Sequence, residues 1–266
     1  MKENELPMDR TRHAVYTRNA KRCVQKLLSR YYDEGTAARL WEKIQLQYCE
    51  FLKDEPALAG VKVTVSIYDP ILIFAWYAVV PDKPPLGEVQ QDIYKSFFGS
   101  FDALGKIFDL NRKVDNGLAG RIFQKVSDLR VKESERFPAS FRMGSCSYDG
   151  ENGVVRYSYT RCPNAEFAKR HHMEDVLPLM CNCDHIAMRK LHAVLIREGT
   201  CCTASCCDYC IVGDKNPIAG EYELVTRENG LLVSVRRDAE HDGRLRETEG
   251  AAGRDDEDQQ GGDDAV

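Results

Sequence analysis

Apolar and polar positions repeat with two different periods along this chain, and the change of period divides it. Up to about residue 133 the spacing is helical. Val15, Cys23, Val24, Leu27 and Leu28 fall near one face of a helix over 10–30, amid Arg and Lys. Asp33-Glu34-Gly35 interrupts it. Thr36 is then placed to cap a second helix with Leu40, Trp41, Ile44 and Tyr48 on one stripe, and Pro56 closes the pair. Val61, Val63, Val65 and Ile67 alternate with polar neighbours, which predicts a strand. Asp69-Pro70 supplies an N-cap and a first-turn proline for Ile71–Ala78. That run reads as a buried helix, although periodicity alone leaves a strand open where every residue is apolar. Further helices are predicted over 87–98, 100–112 and 117–133.

From Phe137-Pro138 onward the period shortens. Phe141–Tyr148 and Val154–Arg161 flank Asp149-Gly150-Glu151-Asn152-Gly153 and read as a hairpin. A short helix is expected over 164–171, and another starting near Cys181. His192–Glu198 and Cys207–Val212 read as strands. Tyr222–Arg227 and Leu231–Arg236, joined through Asn229-Gly230, form a second hairpin with a type I′ turn.

These elements predict one α+β domain over 1–237. Its helix-rich half (8–133) packs on a small, mostly antiparallel sheet built within 137–237. Residues 237–266 hold eleven acids and four bases. That leaves the body close to neutral, so nothing in it argues for a nucleic-acid partner. With almost no apolar content, 238–266 reads as a disordered acidic tail. The longest apolar run, Ile71–Val80, is too short to cross a membrane. The charged Met1–Glu5 lacks the apolar stretch of an export signal. The eleven cysteines are an odd number, which favours reduced thiols in the cytoplasm.

Most of those cysteines lie between Cys162 and Cys210, and the candidate chemistry lies with them. Cys162 ends a strand, Cys181 and Asp184 open a helix, and Cys207-Asp208-Tyr209 opens the next strand. Such junctions let side chains converge while the scaffold stays rigid. This order resembles the L-2-amino-thiazoline-4-carboxylic acid hydrolase family. The resemblance is clearest over 138–214, through Cys162 with Ala165-Glu166-Phe167, Cys181 with Asp184, and Cys207-Asp208-Tyr209. Tyr68-Asp69 before an apolar helix extends it more weakly.

The resemblance implies a hydrolase that opens a cyclic amidine-like ring. Attack at ring C2 of a cyclic isothiourea carrying a carboxylate would give a carbamoyl-cysteine type product. It points to Cys207, Asp208, Cys181 and Asp184 as catalytic, with Cys162, Arg161 and His185 contacting the substrate. A carboxylate, Asp208 first, would hold the amidine. Cys207 or Cys181 would attack C2 or position the water that does. Each residue also has a plainer role open to it. Asp184 suits an N-cap, Asp208 a turn or edge-strand charge, Arg161 a solvated strand end, and the thiols inert packing.

Two alternatives stand beside this. One is a non-enzymatic small-molecule-binding domain of the 4-vinyl-reductase type. The other is a structural zinc, suggested by Cys207-x-x-Cys210. Against the zinc, Cys207 and Cys210 would face opposite sides of a strand. The expected partner is a small-molecule substrate with no resident cofactor, nucleic acid or membrane, and the oligomeric state is left open.

Overall fold

In the computed structural model, which describes residues 16–56, 58 and 68–237, helix α1 (Arg18–Tyr31) starts at Thr17. The Thr17 hydroxyl accepts from Ala20 N–H, one of the donors that a helix start leaves without an internal partner. Helix α2 (Glu34–Leu52) is capped by Asp33, whose carboxylate accepts from Thr36 N–H at 3.0 Å. The cap is therefore Asp33 and not Thr36, and the helix begins three residues earlier than expected. The strand expected over 61–67, the start of the first helix and the tail over 238–266 lie outside the described residues.

Helix α3 (Tyr68–Val79) is buried at every position from Tyr68 to Trp76. A helix enclosed on all sides carries no amphipathic stripe, which is why its run shows no period. Asp69 sits inside its first turn rather than before it. Both Asp69 oxygens are taken by Thr17, through the backbone N–H at 2.6 Å and the hydroxyl at 2.8 Å, which ties the start of α1 to α3.

Helix α4 (Leu86–Phe98) leads into α5, which covers only Ser100–Leu104 instead of the expected 100–112. The backbone of Gly105 lies against the carbonyl of Lys190, where an added Cβ would sit 1.8 Å from the oxygen. Beyond it the chain runs in turns to Lys113, with Asp109 accepting from Asn111 N–H. Helix α6 (Lys113–Arg136) then lies over the first hairpin.

That hairpin is β1 (Arg142–Asp149) and β2 (Val154–Arg161). Helices α7 (Pro163–His171), α8 (Pro178–Cys181) and α9 (Cys183–Lys190) follow, then β3 (Ala193–Ile196) and β4 (Cys207–Gly213). The four strands form an antiparallel sheet in the order β1-β2-β4-β3. After the short α10 (Pro217–Gly220), β5 (Tyr222–Thr226) and β6 (Leu232–Arg236) pair with each other as a separate sheet. Their turn is not type I′, because Gly230 has a positive φ and Asn229 does not. Arg227 accepts from Gly230 N–H and donates to Leu231 O, closing a wider turn with glycine in the left-handed position.

The molecule is thus α+β, with helices packed on a small antiparallel sheet. One face of that sheet, with Val155, Leu195 and Ile211, packs beneath α6 and the α5–α6 connection. The other face, with Val154, Ile196, Cys210 and Val212, is covered by α10 and β5. The largest core joins α1–α4 to α7–α9. Among the described residues no helix is long and apolar enough to cross a membrane.

Candidate active site

Between the helix-facing side of the sheet and helices α3–α6 and α9 lies a cavity of about 480 Å³. Four of the seven residues singled out from sequence line it: Cys162, Cys181, Asp184 and Cys207. They arrive from four places: the residue before α7, the last residue of α8, the first turn of α9 and the first residue of β4.

The other three do not line it. Successive strand residues point to opposite faces, so Cys207 facing the cavity sends Asp208 the other way. The Asp208 carboxylate accepts from the backbone N–H of Glu198 at 3.1 Å and of Gly199 at 2.7 Å, closing the loop after β3. Arg161 points outward at the end of β2, where its Nε donates to Glu166 at 2.8 Å and its Nη1 to the Pro138 carbonyl. His185 follows Asp184 on α9 and so turns about a quarter of the way round the helix. Its ring is buried, and burial followed by the charges of Arg197 and Arg189 lowers its pKa to about 3, leaving it neutral.

Asp184 is the best-held group in the cavity wall. Its Oδ2 accepts from Arg197 Nη1 at 3.2 Å and from the Tyr209 hydroxyl at 3.1 Å. Protein encloses it deeply, yet 32% of its side-chain surface stays open, towards the cavity it lines. Burial raises its pKa from the ordinary aspartate value, although Arg197 and Tyr209 pull the other way.

Arg197 itself is fully buried. Burial opposes its charge, but Tyr209, Cys181 and Asp184 around it hold the guanidinium protonated. Its Nη2 donates to the Cys181 carbonyl at 3.0 Å, and its guanidinium lies 5.5 Å from the centre of the Tyr209 ring.

The thiols differ from the sequence expectation. Cys181 closes α8, so it does not sit at the positive end of a helix. That place belongs to Cys162, which precedes α7, with the N–H groups of Asn164 and Ala165 near its sulfur. Burial nevertheless pushes Cys162 up, and pushes Cys181 up to about 11. Cys207 is raised by its contact with the Cys201 thiol and then by burial. Cys210 faces the opposite side of the sheet from Cys207, as alternation along the strand requires. Among the described residues no group of three or more His, Cys, Asp or Glu side chains is arranged to hold a metal ion, so the zinc alternative finds no support.

Sequence reasoning did not single out Arg197, Arg130 or Asn164, and it named Tyr209 in the matching motif without giving it a role. Arg130 is the one basic side chain lining the cavity among the described residues. It pairs with Glu133 and lies over the Phe141 ring. Tyr159, also in the cavity wall, is hydrogen-bonded to Arg130 and feels the Asp184 charge. Asn164 also lines the cavity, and its buried Oδ1 has no hydrogen-bond partner among the described residues. Only Tyr209 had a readable signal, since period two places it on the same face as Cys207.

The sequence model of the L-2-amino-thiazoline-4-carboxylic acid hydrolase family matches residues 71–211. The chain belongs to this family. No curated protein and no solved structure matched it. Membership makes the protein a hydrolase of this family's type, as its cysteine and aspartate motifs implied. Apart from Asp69 and Pro70, every residue lining the cavity falls inside the matched segment.

Proposed function

We propose that the protein opens the ring of a cyclic amidine-like carboxylic acid in this cavity, with Asp184 as the proton carrier and water as the nucleophile. One observation carries the reading: a carboxylate held by Arg197 and Tyr209 faces the cavity. A carboxylate whose pKa is raised from its ordinary value is a better proton acceptor than a free aspartate.

Arg130 is the cation placed to hold the substrate carboxylate, where the resemblance had named Arg161 among the substrate contacts. Asn164 Oδ1 offers a buried acceptor to an amidine N–H. Water adds to C2 as Asp184 takes its proton. Asp184 passes that proton to the ring nitrogen, takes the remaining proton from the adduct's hydroxyl as the C2–S bond breaks and the C2 carbonyl forms, and gives it to the departing sulfur. Ring plus water becomes a carbamoyl group and a free thiol, with no redox change. Because Cys162, Cys181 and Cys207 are all raised, they remain thiols near neutral pH, and this favours water over a thiolate as the attacking group.

The odd number of cysteines, all of them free thiols, supports a reducing setting such as the cytoplasm. The test is incubation of the full chain with 2-amino-thiazoline-4-carboxylate, followed by free-thiol and mass detection. Saturable thiol release that survives Cys162→Ser, Cys181→Ser and Cys207→Ser singly is expected. Saturable binding without any turnover would instead support the 4-vinyl-reductase-type binding reading.

A further inference from the structure

The cavity is much larger than its polar chemistry requires. Cavities of about 300–1,000 Å³ house drug-sized ligands, and this one, at about 480 Å³, is in that range. A single small ring with an amino group and a carboxylate is a fragment by comparison. The remaining wall is strongly apolar. Phe97 and Phe98 from α4, Phe101 from α5, and Phe123 and Val126 from α6 all face the space.

The aromatic side chains form an ordered surface. Phe123 stacks on Tyr157 with ring centres 5.0 Å apart and planes 23° from parallel. Tyr157 stacks on Tyr209 at 4.6 Å and 9°. The Tyr209 hydroxyl then donates to Asp184. A continuous stack therefore runs from α6 to the carboxylate. Ile122 lines the cavity and is 50% exposed, so the space opens to the surface along α6, beside the Phe123 end of the stack.

We infer that the substrate is a cyclic amidine-like acid bearing a large, planar apolar substituent, which lies along the Phe123–Tyr157 wall while the ring reaches Asp184. This rests on the ring-opening reading of the same site and adds the class of molecule that fills it. A flat substituent gains from two sources: apolar area leaving water, and face-to-edge contact with the stacked rings, whose shared faces already meet each other. A bare ring acid would leave the wall unoccupied.

The experiment compares 2-amino-thiazoline-4-carboxylate with its 5-phenyl analogue on the full chain. Turnover is measured on the wild type, and binding by calorimetry on Asp184→Asn. The phenyl analogue is expected to show at least a tenfold higher kcat/KM and at least tenfold tighter binding. That preference should shrink in Phe123→Ala and, less so, in Phe123→Leu, which guards against a variant that fails to fold. If both compounds are hydrolysed and the bare ring is equal or better, the large-substituent inference is wrong and ring opening stands. If neither is hydrolysed but the phenyl analogue binds tenfold tighter, the apolar-ligand inference stands and ring opening fails. If neither is bound or turned over, both are overturned.

Discussion

Arg197 Nη1 donates to Asp184 Oδ2 at 3.2 Å, and none of that arginine's side chain is exposed. A charge buried this deeply is tolerated because its partners are fixed: Asp184, the Tyr209 hydroxyl and the Cys181 carbonyl all face it. The pair shows how the cavity carboxylate is aimed. Arg197 and Tyr209 share one of its oxygens, and neither is free to swing away.

Asp184→Asn should lower kcat/KM by about a hundredfold or more, the cost of losing on the order of 3 kcal/mol of transition-state stabilisation. The far-ultraviolet circular dichroism should be unchanged. In the wild type, activity should fall as pH drops through a pKa raised above that of a free aspartate, because the base must be ionised and burial raises it. An acid limb at an unshifted carboxylate pKa would remove Asp184 from this role.

Arg197→Met leaves the half-buried Asp184 without its cation. Breaking a buried pair from one side costs about 3–5 kcal/mol, so the melting temperature should drop by several degrees or more. The double variant Arg197→Met with Asp184→Asn should recover part of that loss, since the stranded charge is gone. Equal melting temperatures for the single and double variants would mean that the pair does not set stability.

Asp208→Ala should separate two neighbouring residues by their effects. Its carboxylate closes the loop after β3 through Glu198 and Gly199 N–H. Losing these bonds should cost about 1–2 kcal/mol of stability. Urea unfolding should show that loss, with kcat/KM within about twofold of wild type. A hundredfold fall in turnover at unchanged stability would return Asp208 to the chemistry.

His185 should make the fold acid-sensitive. Its folded pKa is lowered to about 3, below the ordinary value near 6.5. The unfolded chain therefore binds a proton first as pH falls. Stability from this group is complete above about pH 6.5 and is lost progressively down to about pH 3, by on the order of 1 kcal/mol per pH unit. Melting curves between pH 7 and 4 should slope accordingly, and His185→Leu should flatten the slope. An identical slope in that variant would place the acid sensitivity elsewhere.

Much of this architecture was legible in the sequence because local rules governed it. Alternation over 141–161, broken by Asp149–Gly153, marked the first hairpin, and the fully apolar run after Asp69-Pro70 marked a buried helix. The same period-two rule placed Cys207 and Cys210 on opposite faces. Applied one residue further, it would have separated Cys207 from Asp208 and joined it to Tyr209. Arg197 was hidden for a different reason. An arginine just after an apolar strand reads as solvent-facing, and only tertiary packing of α9, β4 and β6 around it turns it inward. Asn164 and Arg130 were equally silent, because what distinguishes them is the cavity they border and not their neighbours in the chain.

The segment matched by the family ends at residue 211, but the parts that brace the carboxylate extend past it. Two hydrogen bonds link Ser234 to Arg197 in both directions: Ser234 N–H donates to the Arg197 carbonyl at 2.7 Å, and Arg197 N–H to the Ser234 hydroxyl at 3.0 Å. Asn182, between Cys181 and Cys183, clasps the same hairpin through Gly230 O and Leu232 N–H, each at 2.9 Å. A chain cut at residue 214 would keep every side chain that lines the cavity and lose the strut behind them. The inherited signature and the mechanical unit therefore have different lengths, and a minimal working fragment would be set by the second.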